Sequence, residues 1–317
     1  WRSMYNILIS GYYGFDNIGD ESILRTLVSS LREHIPDCSL TVLSHNPAST
    51  REKYGVEAVD RMSPMAILRA VKKCDMLISG GGSLLQDVTS SKSLHYYLSI
   101  IRCAEFFHKK VFIYSQGIGP IDRPGNRRAA AAALKRADGI VVRDERSAAL
   151  LEEIGIARDK VVITADPVIR MKKPDGDVGA EILRKAGVSL DGRLTVGWAI
   201  RERDTDSRFV KELLRSIQMM KDKYNAQSVL IPFHYEEDGE VCRHIAAQLP
   251  DDTAVCLNEK YLSEDMLSII GNMDLLVGVR LHSLIYAAIM GVPLIGISYD
   301  PKCTAFLNSV GLDKLST

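Results

Sequence analysis

Short β-branched runs alternate with longer amphipathic ones along most of the chain. Tyr5 to Ser10 reads as a buried strand, followed by a glycine-rich turn. After that turn Ile23, Leu24, Leu27, Val28 and Leu31 share one helical face. The polar residue Asp20 suits the N-cap of this helix, and Pro36 ends it. Leu40 to Leu43 is the next strand, and Ser63-Pro64 opens a helix running through Val71. Met76 to Ser79, Val111 to Ser115, Ile140 to Val142 and Val161 to Thr164 continue the series of strands. The apolar pattern lapses at Lys172 to Gly179, a segment that reads as a linker. A second series of strands follows at Leu194–Ala199, Ser228–Pro232, Ala254–Leu257, Leu275–Val277 and Leu294–Ile297. Strands separated by helices make parallel sheets covered on both faces. The expected fold class is therefore α/β, with two Rossmann-like doubly wound domains, residues 4–171 and 172–317, facing a cleft. In such sheets ligands bind beyond the carboxyl ends of the strands.

Length and composition agree with this picture. The chain has 317 residues, long enough for two cores. Hydrophobic residues are 46% and charged residues 25%, the mixture of an ordinary globular protein. Forty basic and forty acidic residues cancel to a formal charge of +0, which argues against a nucleic-acid-coating protein. The six cysteines are scattered without metal-ligand spacing. They are read as free thiols of a reducing cytoplasm, and no structural metal is expected. No apolar run reaches the roughly 18 residues of a spanning helix. No secretory leader is read at the start, so a cytoplasmic protein is expected. Trp1-Arg2-Ser3, ahead of Met4, reads as a vector remnant.

The candidate chemistry sits at strand ends. The opening loop runs from Gly11 to Asp20, and its Tyr13 and Phe15 are candidate platforms for a sugar ring. Gly80-Gly81-Gly82 ahead of an expected helix, and Gln116-Gly117-Ile118-Gly119-Pro120, are candidate anion cradles built of backbone N–H groups. Plain turn chemistry is the competing reading for each. Arg143, Arg201 and Arg280 each follow a buried strand. A guanidinium there needs an anionic partner, either a ligand or a neighbouring carboxylate in a structural ion pair. His282, two residues after Arg280, has the side chain suited to moving protons near neutrality. Lys302 near the start of a final helix is a candidate phosphate contact.

These motifs together resemble the polysaccharide pyruvyltransferase family. The likeness rests on Gly278-Val279-Arg280-Leu281-His282-Ser283 with Gly291-Val292-Pro293 after it, on Gly80 to Asp87, on Gln116 to Pro120, on Val142-Arg143-Asp144 and on Asp166-Pro167. Within the family the sequence is most similar to bacterial CsaB-type ketal-pyruvyltransferases. The resemblance implies a fold like the GT-B glycosyltransferases and phosphoenolpyruvate as co-substrate, with no further cofactor. It implies a 4,6-ketal on a terminal sugar as product, N-acetylmannosamine of a lipid-diphosphate-linked disaccharide in CsaB-type enzymes, where the ketal serves S-layer anchoring to the cell wall. Such an acceptor would be met at the inner membrane face, through a peripheral contact. Arg280 and His282 would then bind the donor and transfer protons, with Arg143, Lys302 and Arg201 as further donor contacts and Asp87, Asp166 or Glu259 as assisting carboxylates. The competing functions are a nucleotide-sugar glycosyltransferase on the same fold and a non-catalytic sugar or anion binder.

Overall fold

Two parallel sheets account for every strand of the computed structural model, which describes residues 4–202, 204–297 and 301–312. The first series runs β1 (Tyr5–Ser10), α1 (Ile18–His34), β2 (Cys38–Ser44), α2 (Pro47–Tyr54), β3 (Glu57–Asp60), α3 (Pro64–Lys73), β4 (Met76–Ser79), α4 (Ser91–Phe106), β5 (Lys110–Gln116), α5 (Pro124–Leu134), β6 (Gly139–Val142), α6 (Glu145–Glu153) and β7 (Val161–Ile163). Its sheet has the order β3-β2-β1-β4-β5-β6-β7. The direction of strand addition reverses between β1 and β4, the switch of a doubly wound sheet. Leu24, Leu27 and Val28 of α1 cover one face with Ile7 and Ile9. Burying each is worth roughly 1.5–3 kcal/mol. The other face packs under Val71 of α3, Leu94, Leu98 and Ile101 of α4 and Ala130 of α5.

The second series runs α7 (Val178–Lys185), β8 (Thr195–Ala199), α8 (Arg208–Tyr224), β9 (Gln227–Leu230), α9 (Tyr235–Gln248), β10 (Ala254–Cys256), α10 (Ser263–Gly271), β11 (Leu275–Gly278), α11 (Leu281–Met290), β12 (Leu294–Gly296) and α12 (Pro301–Ser309). Its sheet has the order β10-β9-β8-β11-β12. Val196 and Trp198 of β8 pack with Val210, Leu213 and Ile217 of α8 and Val241 and Ile245 of α9.

The chain divides into two compact units, and the division is not one cut in the linker. One unit holds the chain up to Phe15 together with Asp20–Arg170; the other holds Asp16–Gly19 and the chain from Met171 onward.

Three expectations are corrected and two elements are added. Helix α1 begins at Ile18, and Asn17 caps it by accepting the Gly19 N–H at 3.0 Å, so Asp20 lies in its first turn. No helix follows Gly80-Gly81-Gly82 directly; the next one starts at Ser91 under an N-cap from Ser90. Gly179, read as linker, lies inside α7, where a side chain would overlap the Ser268 backbone of α10. Helix α2 and strand β3 went unread, because Pro47-Ala48-Ser49-Thr50-Arg51-Glu52-Lys53-Tyr54 has no apolar periodicity and β3 has only Ala58 and Val59.

Candidate active site

In the second unit the chain leaves β11 at Gly278 and enters α11 with Arg280 at its N-cap. The Arg280 guanidinium donates from Nε (3.1 Å) and Nη2 to the two oxygens of Asp238, and Glu237 lies 3.8 Å from Nη2. Asp238, at 1% exposure, also accepts the His234 N–H at 2.9 Å. His234 and Asp238 arrive together because β9 ends at Leu230 and α9 starts at Tyr235, with His234 as N-cap. A two-pronged pair of this kind fixes the plane of the guanidinium as well as its charge.

Two residues on, His282 lies partly buried in the first turn of α11. Its ring packs on Gly19; a Cβ at that position would overlap Nδ1. Asp16–Gly19 thus works as part of the second unit. Asn17 forms an antiparallel bridge with His234, and the Ile18 N–H donates to the Phe233 carbonyl at 2.9 Å. Asp16 accepts from Lys260 at 2.7 Å, and this hydrogen bond holds the Lys260 ammonium above its usual pKa. The His234 Nδ1 accepts the Glu237 N–H at 3.3 Å. The proton of its neutral ring therefore belongs on Nε2.

In the first unit Arg143 follows β6 with only 6% of its side chain exposed, donating to Asp166 at 2.7 Å and to the Ser83 hydroxyl at 3.0 Å. Gly117 lets it pass, since a Cβ there would sit 2.9 Å from Nε. The two glycine-rich loops zip together. Gly117 donates to Gly82 O and Gly119 to Leu85 O, both at 2.8 Å, while Gly80 donates to Ser10 O at 2.7 Å. Those N–H groups are spent inside the protein, so Gly80, Gly117 and Gly119 are not an anion cradle. Gly81 and Gly82 serve close packing, against Ile23 and Asp20 respectively, with Gly82 at φ +92°.

Asp87 ties the same corner. It accepts from the backbone N–H of Asp122 (2.9 Å) and Arg123 (3.1 Å) and from the Asn126 amide (2.8 Å). Burial pushes its carboxyl up, but these hydrogen bonds outweigh it and hold the carboxyl below the usual range. Asp87 and Asp166, named as assisting carboxylates, are therefore engaged in structure, and Glu259 is exposed beyond β10.

The aromatic expectation also changes. Tyr13 is 0% exposed, packed among Leu24, Leu27 and Ile78, so it offers no face to a sugar. Phe15 stacks between Tyr12 (4.1 Å) and His45 (4.4 Å), so both its faces are covered. Beside this stack lies a residue the sequence reading passed over. Arg61, 7% exposed at the end of β3, has its guanidinium 4.7–5.7 Å from the rings of Tyr12, Phe15, Tyr96 and Tyr97. It donates to Gly11 O at 2.9 Å and to the Tyr97 hydroxyl at 3.2 Å. Burial pushes the Tyr97 phenol up to about 12 despite the opposing arginine.

The remaining donor candidates stand apart in the chain: Arg201 is exposed just past β8, and Lys302 is partly buried in the first turn of α12. Among the described residues no cluster of His, Cys, Asp and Glu is placed to hold a metal ion.

The family model for polysaccharide pyruvyl transferases matches residues 17–301, from the loop under His282 to the start of α12. The chain belongs to this family. Among curated proteins it is similar to the amylovoran biosynthesis protein AmsJ of Erwinia amylovora, 21% identical over 368 residues, covering 98% of this chain and 87% of the relative. Among solved structures it resembles HepE of Anabaena in complex with UDP-glucose (TM-score 0.62, 11% identity, 92% of this chain and 80% of that one). It also resembles UDP-GlcNAc 2-epimerase of Methanocaldococcus jannaschii (0.65, 14%, 99% and 88%) and the ADP-heptose heptosyltransferase II of E. coli (0.55, 14%, 99% and 89%). At such identities these likenesses establish the fold, which is GT-B-type. Family membership makes the protein a transferase with a pyruvyltransferase role in polysaccharide biosynthesis, and its acceptor a saccharide. No described helix is long and apolar enough to cross a membrane.

Proposed function

We propose that this pyruvyltransferase moves pyruvate from phosphoenolpyruvate onto two hydroxyls of a terminal sugar, closing a 4,6-ketal and releasing phosphate, and that its mode of action is CsaB-type. The supporting observation is the start of α11, where a guanidinium of fixed orientation precedes by two residues an imidazole held against Gly19. Asp238 takes the Nε/Nη2 edge of Arg280. The Nη1 edge is thereby aimed as a rigid donor toward a carboxylate or phosphate oxygen. Lys302 and Arg201 are the further cations proposed for a donor that carries both groups on three carbons; Arg143 is held by Asp166 and Ser83 within the first unit.

In the reaction His282 delivers a proton to the donor's methylene, which becomes the methyl group, and the central carbon becomes electrophilic. One sugar hydroxyl adds there and loses its proton to the base form of the imidazole. The C–O bond to phosphate then breaks, the cations taking up the leaving charge. The second hydroxyl adds, its proton leaving with the phosphate. For the acceptor side, His45, the exposed end of the Tyr12–Phe15–His45 stack, replaces Tyr13 and Phe15 as the candidate sugar platform. N-acetylmannosamine of a lipid-diphosphate-linked disaccharide is the proposed acceptor, in a cytoplasmic reaction of secondary cell wall polymer synthesis that supplies S-layer anchoring.

Phosphate release tests this directly. Phosphoenolpyruvate with a synthetic lipid-diphosphate disaccharide should yield phosphate and pyruvylated sugar in equal amounts, and phosphoenolpyruvate alone should yield neither. Sugar transfer from UDP-glucose to the same acceptor, without phosphoenolpyruvate consumption, would replace this reading with that of a glycosyltransferase.

A further inference from the structure

Helix α3 has two unlike faces. Val71 is fully buried, with Ile67 and Ala70 packed beside it against the core. On the opposite side, at helical spacing, Met65, Arg69, Lys72 and Lys73 are all exposed. Met62, in the turn before the helix, is 67% exposed and Met65 59%. At the other end Phe106, the last residue of α4, is 75% exposed. Its ring meets Phe107 edge-on at 5.1 Å, and the Lys72 ammonium sits over that same Phe107 ring at 5.2 Å. Apolar tips therefore flank three cations along a helix about 15 Å long. Helix α3 has no acidic residue, and the nearby Asp60 carboxylate is occupied by the Met62 N–H at 2.8 Å.

Single exposed apolar side chains are ordinary. Two large ones ahead of three cations on the outer side of α3, with Phe106 of α4 beyond them, have a specific complement. The cations match anionic headgroup phosphates, while the methionine and phenylalanine tips reach the acyl boundary. The patch begins one residue after Arg61, at the carboxyl edge of the first sheet beside the aromatic stack. We propose that the outer face of α3, with Met62 and Phe106, docks on an anionic phospholipid bilayer. Its purpose, presenting a lipid-linked acceptor to the aromatic stack, rests on the proposed function; the binding itself does not.

The test is co-sedimentation of the full chain with phosphatidylcholine vesicles and with vesicles containing phosphatidylglycerol. Binding is expected to the anionic vesicles and to be about 100-fold weaker in Arg69→Glu/Lys72→Glu/Lys73→Glu. It is expected to be about 10-fold weaker in Met62→Ser/Met65→Ser. Both variants should keep wild-type turnover on a water-soluble acceptor. Absence of binding to anionic vesicles, equal binding to phosphatidylcholine, or unaltered binding by the variants would overturn the assignment. Retention of the chain by a soluble protein without vesicle binding would overturn it in favour of a protein partner. Vesicle binding lost in the variants, in a protein that never transfers pyruvate, would keep this surface and remove the proposed function instead.

Discussion

A single missing side chain decides where His282 points. Because a Cβ on Gly19 would overlap its Nδ1, Gly19→Ala must displace the ring, and a displacement near 1 Å is enough to cost about 100-fold in turnover. Turnover of this variant should fall by that order while its Tm stays near wild type. A comparable loss of Tm would mean that Gly19 serves folding instead. His282→Ala should lower kcat by at least about 100-fold with phosphoenolpyruvate affinity within a few-fold; unchanged kcat would remove it from proton transfer. Arg280→Lys cannot reproduce the two-pronged contact with buried Asp238. It should destabilise the protein by about 2 kcal/mol in urea titration and weaken phosphoenolpyruvate binding about 10-fold by calorimetry. Native affinity in a destabilised variant would make the Arg280–Asp238 pair purely structural.

At the scale of elements, the corner formed by the loops after β4 and β5 hangs on Asp87. Asp87→Ala strands three donors and should cost about 3 kcal/mol at pH 7. Its folded-state carboxyl lies below the unfolded value, so its contribution is complete above about pH 4 and fades as pH falls through the folded value. The Tm difference between wild type and variant should therefore be constant from pH 7 to about 5 and shrink in more acid solution. A difference that widens toward acid would contradict the assignment. Strands such as Met76–Ser79 were legible because a buried parallel strand is a continuous apolar run. Strand β3 was not, and with it went Arg61. The rule that exposed Arg143 and Arg280, a charge just past a strand, applies equally to Arg61, but only once β3 is seen; His234 lies four residues beyond β9, at the N-cap of α9. Tyr13 shows the converse limit. An aromatic in a glycine loop reads as a platform, yet the glycines at 11 and 80 are what make room for its ring in the core. Periodicity carries no information on that choice.

For the whole molecule, the alternating pattern sufficed to give two doubly wound α/β sheets, the likeness to solved structures gives the GT-B type, and the family match over residues 17–301 gives the reaction class. Fold alone would not have done so, since the solved relatives include an epimerase and a heptosyltransferase. Ligand preference separates them: phosphoenolpyruvate should raise the Tm by RT ln(1 + [L]/Kd) in free-energy terms, about 2.7 kcal/mol at one hundred times Kd, whereas UDP-glucose should leave it unchanged. The reverse ranking would move the chain to nucleotide-sugar chemistry. The central claim is that the donor's methylene is protonated at the site around His282. Running the reaction in deuterium oxide and examining the ketal by mass spectrometry measures this step. The account predicts one solvent deuterium in each product methyl group, with labelled ketal forming at least about 100-fold more slowly in His282→Ala. A product methyl free of solvent deuterium, or labelled ketal formed by the variant at the wild-type rate, would contradict it.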